Sequence, residues 1–256
     1  MERAALLERL TGSRAPIVWR TVTVREIVPE TAHARTILLD VPGWPGHVAG
    51  QHVDVRLTAE DGYQAERSYS IASAPETAAL SLTVELFDDG EVSPYLVEEL
   101  QVGDEFEVRG PVGGYFIWRV QDGGPLFLLA GGSGLVPLMA MLRHHAAQKS
   151  TVPARLLVSS RRLDDVLYRD ELADLDGHDA VDVSLTLTRE QPPGWTGFGR
   201  RVDAEMLTAV GPGPSEQPQI FVCGPTAFVE FVADRLVELG HAPDAIRAER
   251  FGPTGE

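Results

Sequence analysis

Phe127-Leu-Leu-Ala-Gly-Gly-Ser-Gly-Leu-Val-Pro137 joins an apolar run to a glycine cluster and then to a helical pattern. The run Leu126–Ala130 is short and apolar without alternation, as a strand buried on both faces of a parallel sheet must be. Glycines directly after it let the backbone approach a ligand. Free N–H groups at the start of the following helix face an anion. Gly131, Gly132, Ser133, Gly134 and Pro137 are therefore candidate contacts for a pyrophosphate. The segment is not the G-x-G-x-x-G dinucleotide fingerprint, and alone it fits a ligand-free strand–helix turn equally well.

Working outward, the helical stretch continues to about Gln148 with Leu135, Leu138, Met139 and Leu142 on one face. Strands are expected at Arg155–Ser159, Val181–Thr188 and Ile220–Val222. Helices are expected at Asp164–Leu175, near Asp203–Leu207 and at Thr226–Leu239. Strands alternating with helices predict a parallel α/β sheet. Upstream, from Ile17 to about Trp118, the rhythm differs: Val18–Ile27, Arg35–Asp40, His52–Leu57, Arg67–Ile71, Leu80–Phe87 and Glu105–Val108 are short alternating segments broken by Gly, Pro and Asp. Many short strands with frequent turn signals predict an antiparallel barrel or sandwich. One helix is expected among them, Ser93–Leu100, with Ser93 as N-cap and Pro94 at the first helical position. The polar turn Gln121-Asp-Gly-Gly124 marks the border. The expected fold is thus two-domain β + α/β, with an antiparallel β-barrel over 1–120, carrying a short N-terminal helix around Leu6, Leu7 and Leu10, and a parallel-sheet α/β domain over 121–256.

Composition narrows the partners. With 256 residues, 43% hydrophobic and 23% charged, the chain can bury a full core. No apolar run approaches the roughly 20 residues a membrane helix needs, and the charged start is unlike a secretory signal; a cytoplasmic protein is expected. Net charge is -16, which repels nucleic acid. The single cysteine, Cys223, excludes an intrachain disulfide and an iron–sulfur cluster held by four cysteines of this chain. Lys149 is the only lysine, a bias of composition that weakens any argument from a lone arginine. No metal site is expected: His144 and His145 are adjacent on a helix and point apart, and these histidines, with His47 and His52, are assigned to solvated surface. Gly132-Ser-Gly134 lacks the G-x-S-x-G elbow of serine hydrolases.

Four further segments carry chemistry. In an alternating strand, Arg67-Ser-Tyr-Ser70 places Arg67 and Tyr69 on one face and Ser68 and Ser70 on the other; a tyrosine can cover a flat ring and an arginine can neutralise a phosphate. Gly90-Glu-Val-Ser93 is a turn whose N–H groups and Ser93 hydroxyl suit a pyrophosphate. Cys223-Gly-Pro225 ends the apolar strand Ile220-Phe-Val222, and Glu249-Arg-Phe-Gly-Pro253 lies near the C-terminus. A lone cysteine at such a strand end is most often a buried structural thiol.

Arg67-Ser-Tyr-Ser70, the Gly131–Gly134 turn, Cys223-Gly-Pro225 and Glu249-Arg-Phe-Gly-Pro253, in this order along the chain, resemble the ferredoxin–NADP reductase superfamily over roughly residues 17–253. The C-terminal segment is similar to its flavohaemoglobin-type and oxygenase-reductase branches. The resemblance implies a flavin, expected as FAD with FMN as alternative, held by Arg67, Ser68, Tyr69, Ser70, Gly90, Val92 and Ser93, with Tyr69 beside the isoalloxazine and Ser70 near its N5. Gly110-Pro-Val-Gly-Gly-Tyr-Phe116 resembles the segment closing the flavin domain. It implies a nicotinamide nucleotide on Gly131–Gly134, Pro137, Cys223, Gly224 and Pro225. Ser70, Cys223, Glu249 and Phe251 are implied at the reacting centre, Cys223 as a positioning contact rather than a nucleophile and Phe251 as an aromatic lid. Ser160, Arg161, Thr188 and Arg189 resemble the 2′-phosphate site of NADP-type members, so NADPH is expected; Asp164 and Asp165 nearby would instead serve NADH.

The implied activity is hydride transfer from NADPH or NADH to FAD, then one-electron transfer to an acceptor protein in trans, such as a ferredoxin or oxygenase component, by a monomer. A flavin holds both electrons of a hydride and releases them singly. The alternatives are a reductase of small acceptors (free flavin, quinone, ferric chelate) and a non-catalytic flavin or nucleotide sensor.

Overall fold

The computed structural model describes residues 17–87, 89–178 and 180–252. The expected N-terminal helix and Pro253 lie outside the described residues. The first sheet contains β1 (Trp19–Thr31), β2 (Ala34–Asp40), β3 (His52–Thr58), β4 (Gln64–Ser70), β5 (Leu80–Glu85) and β6 (Glu105–Val112). It is antiparallel, in the order β4-β3-β6-β1-β2-β5. Ile71, directly after β4, bridges Leu82 of β5, so the two outer strands meet and the sheet curls into a barrel. Val22, Val24, Ile37, Leu39, Val53, Val55, Leu82 and Val108 fill it. They come from alternate strand positions, as the period of two requires.

The second sheet is parallel, in the order β11-β10-β7-β8-β9. It comprises β7 (Leu126–Gly131), β8 (Ala154–Ser160), β9 (Val181–Leu187), β10 (Gln219–Pro225) and β11 (Ile246–Phe251). Among the described residues four α-helices accompany it: α1 (Leu135–Ala147), α2 (Arg169–Leu175), α3 (Ala204–Val210) and α4 (Thr226–Glu238). All of β7 is buried, in keeping with its central place and its lack of alternation. Separate clusters cover the two faces of the sheet, one around Leu126, Leu128, Phe221 and α1, the other around Phe127, Leu129, Val222 and α4. Asp203 caps α3 by accepting from the Met206 N–H at 2.8 Å.

Two expectations change in detail. The expected helix forms over residues 93–99, but Tyr95–Glu99 within it is a wide π-type turn. Ser93 does not cap it: its hydroxyl accepts from the Phe87 N–H at 3.1 Å and donates to the Phe87 carbonyl. The expected helix from Asp164 starts only at Arg169, because Tyr168 takes a left-handed φ of 53°.

Side chains of α1 and α2 clasp the barrel. Arg143 donates to the Ala72 carbonyl at 2.7 Å and forks onto Glu171. His144 meets Glu76 at 2.7 Å. The buried Tyr168 hydroxyl donates to Thr83 of β5, and Arg143 lies over the Tyr168 ring at 4.5 Å. The two sheets are thereby held with the C-terminal ends of β7 and β10 toward the barrel.

Candidate active site at the junction of the two sheets

The turn after β7 and the end of β10 are built against each other. A Cβ on Gly134 would lie 2.1 Å from the Cys223 carbonyl oxygen and 2.7 Å from the Gly224 nitrogen, so only glycine lets these backbones touch. Gly131 is similarly confined by Phe228 and Pro225. Gly132 differs: its φ is +55°, and the nearest atom to a Cβ there is the Glu85 carboxylate of the barrel at 4.0 Å. The turn is tight beneath and open toward the barrel, which is the form a nucleotide cradle needs.

Beside it, β11 sets Glu249 in register with Cys223. Glu249 and Phe251, expected at the reacting centre, sit on a strand that no local sequence pattern announces. One Glu249 oxygen lies 3.8 Å from His52 Nδ1 on β3; the other is buried without a hydrogen-bond partner among the described residues. Burial pushes the Glu249 carboxyl up to about 7 and the His52 ring below its ordinary value. Though close enough to form an ion pair, both are thus driven toward neutrality near pH 7, because desolvation penalises each charged form. Burial, then the neighbouring Glu249, raises the Cys223 thiol well above the usual range, so it stays protonated and is no nucleophile.

His52 stands directly across from Ser70 in the β3–β4 ladder. Glu249, the register partner of Cys223 on the parallel sheet, therefore approaches His52, the ladder partner of Ser70 on the barrel. The assignment of His52 to solvated surface is corrected here. His145 departs from it further: it is fully buried, bonds the Val152 carbonyl and stacks on Trp118, since its helix face turns inward. His47 is half-buried against Ser73 and Trp44.

Farther along β4, Tyr69 packs on the barrel core, and burial raises its hydroxyl pKa. Arg67 is half exposed and reaches the Gly90–Ser93 turn, where it meets Glu91 at 3.0 Å. Val92 and Ser93 of that turn are buried. Ser68 instead donates to Asp54 at 2.7 Å. On the parallel sheet, Thr188 donates to the Ser160 carbonyl through its N–H at 2.9 Å, and Arg189 likewise to Arg161. Neighbouring strand ends thus bring all four coenzyme candidates together, with the Arg161 and Arg189 side chains exposed. Arg162, by contrast, is paired with Glu190 at 3.2 Å. Asp164 leans toward Arg169 at 3.6 Å. Phe251 is half-buried against the parallel-sheet core, in register with Pro225.

These features suit two nucleotides: a glycine turn packed tightly on β10 beneath and open toward the barrel, an orphaned buried carboxylate oxygen beside it, and a half-exposed guanidinium at a second turn. Residues 23–117 match the family described as the oxidoreductase FAD-binding domain. Residues 128–234 match the oxidoreductase NAD-binding domain. The chain belongs to the ferredoxin reductase-like FAD- and NAD-binding oxidoreductases. Within this oxidoreductase family it is 32% identical over 236 residues to the glycine betaine monooxygenase reductase subunit of Chromohalobacter salexigens, covering 90% of this chain and 63% of that protein. It is 30% identical over 210 residues to NADH-cytochrome b5 reductase 1 of Aspergillus terreus, covering 79% of this chain and 69% of that one. Among solved structures, the Amycolatopsis cytochrome P450 reductase GcoB superposes with a TM-score of 0.81 at 27% identity, over 94% of this chain and 72% of its own. The chain spans a little under two thirds of the monooxygenase reductase subunits it matches. Among the described residues no helix is long and apolar enough to cross a membrane.

Proposed function

We propose that the chain is an NAD(P)H-dependent flavoprotein reductase. It takes a hydride from NADPH, or NADH, onto FAD and passes single electrons to a separate acceptor protein such as a ferredoxin or an oxygenase component. The observation that supports this reading is the 3.8 Å approach of Glu249, on the parallel sheet, to His52, on the barrel. Hydride transfer needs donor carbon and flavin N5 close and aligned, so the chain's work there is positioning. Arg67, Gly90, Val92 and Ser93 would hold the flavin pyrophosphate, with Tyr69 and Ser70 beside the ring. Gly131, Gly132, Ser133, Gly134 and Pro137 would cradle the nicotinamide nucleotide. Cys223, Gly224, Pro225, Glu249 and Phe251 would bound its ring. Bound flavin supplies the storage of two electrons and their release one at a time.

The acceptor reading is supported by the monooxygenase reductase subunits among the relatives. Steady-state reduction of purified ferredoxin or oxygenase component, set against reduction of free FAD, tests it. Faster turnover of the protein acceptor, lost steeply with rising salt, is expected, because docking against a chain of net charge -16 must rely on local arginines such as Arg119; Arg143, the other arginine the sequence offers for this, is committed to Glu171 and the Ala72 carbonyl. Faster reduction of readily dissociating free flavin would instead establish the small-acceptor activity.

For the coenzyme, Arg161→Ala or Arg189→Ala is expected to weaken NADPH by about 1.5–3 kcal/mol and to spare NADH, since each removes one charge-assisted phosphate contact. Equal losses for NADPH and NADH in binding titrations would remove the 2′-phosphate assignment.

A further inference from the structure

Arg67 is the cation assigned above to the flavin phosphates, yet its guanidinium is already engaged. Nη2 donates to the Glu91 carboxylate at 3.0 Å, and Nη1 donates to the Glu66 carbonyl at 2.7 Å. The second Glu91 oxygen accepts from the Tyr63 hydroxyl at 2.9 Å, which braces the carboxylate in place. Nearby arginines bring no relief: Arg56 is committed to Glu107 and Arg109 to Asp54. Glu91 moreover sits inside the Gly90–Ser93 turn, whose N–H groups are the other phosphate contacts. A diphosphate arriving here meets a guanidinium whose charge is matched by a resident carboxylate.

We propose that Glu91 is a built-in competitor of the flavin phosphates for Arg67, displaced when the phosphorylated flavin binds, and that it sets how loosely the flavin is held. This rests on the reading of Arg67 as a flavin phosphate contact. Displacement exchanges one charge-assisted pair for another and leaves Glu91 near the new anion, so the carboxylate lowers affinity twice over. Riboflavin, which has no phosphate, is indifferent to the exchange.

The test is equilibrium titration of the full chain, freed of flavin, with FAD, FMN and riboflavin, followed by flavin fluorescence and needing no turnover. Glu91→Gln is expected to tighten FAD and FMN by about fivefold at low salt, the scale of an exposed ion pair, to leave riboflavin unchanged, and to lose the gain at high salt. Unchanged or weakened FAD binding in Glu91→Gln would overturn the competitor role. Arg67→Ala separates this from the underlying reading: if it weakens FAD while Glu91→Gln does not tighten it, only the competitor role fails. If Arg67→Ala leaves FAD affinity intact, the phosphate assignment of Arg67 fails with it.

Discussion

Gly134→Ala is expected to slow flavin reduction by NAD(P)H by about a hundredfold while leaving flavin binding unchanged. The added Cβ would sit 2.1 Å from the Cys223 carbonyl oxygen and 2.4 Å from its carbon. These are backbone atoms of β10, a strand paired on both sides by β7 and β11, and they cannot step aside as a flexible side chain does. The turn itself must shift, and with it the cradle's N–H groups and the geometry between nicotinamide and flavin. Overpacking of this kind also destabilises by about 1–3 kcal/mol, so the thermal midpoint of the α/β unit should fall. Flavin contacts lie on the barrel and are untouched, so reduction by dithionite should proceed as in the parent. Gly132→Ala is the contrast: that position has open space but a φ of +55°, and the cost is about 1–2 kcal/mol of backbone strain without a clash. Normal hydride transfer in Gly134→Ala would mean that the turn does not seat the nicotinamide nucleotide.

The second large effect concerns pH. Burial raises the Glu249 carboxyl from 4.5 to about 7, so between these values the folded state holds a proton that the unfolded chain has released. Stability from this group is fully present below pH 4.5 and is lost as pH rises through about 7. The full shift corresponds to about 3 kcal/mol. Glu249 is partly open to solvent, its side chain 31% exposed, and screening brings the expected loss nearer to about 2 kcal/mol. Glu249→Gln, neutral at every pH, should flatten the decline in denaturation midpoint between pH 5 and 8 and be the more stable protein above pH 7. Parallel pH dependence in the parent and Glu249→Gln would show that Glu249 is well solvated.

What was legible in the sequence follows from where local pattern decides structure. The unbroken apolar run Leu126–Ala130 could only be a central buried strand, and it is β7. The glycine turn and Cys223-Gly-Pro225 were marked separately; that they touch is a tertiary fact, carried by Gly134 beneath Cys223. Strand β11 is not legible in Ile246-Arg-Ala-Glu-Arg-Phe251, which has no apolar run, being an edge strand stabilised by pairing with β10 rather than by burial on both faces. The place of His52 beside Glu249 is not legible locally, because it depends on strand pairing and on the approach of the second sheet. Its available signal was its position at the start of a predicted strand that could pair with Arg67–Ser70. Ser93 looks like a helix cap by spacing alone, but the chain turns at Phe87–Gly90 and the hydroxyl serves that turn instead.

The most direct test of the account is an oxygen-free titration of the full chain loaded with FAD, adding NADPH or NADH and following the visible flavin band. The structure predicts that the band bleaches at one equivalent of nicotinamide per flavin. A chain that takes up no flavin, or a bound flavin that keeps its colour with both coenzymes, would contradict it.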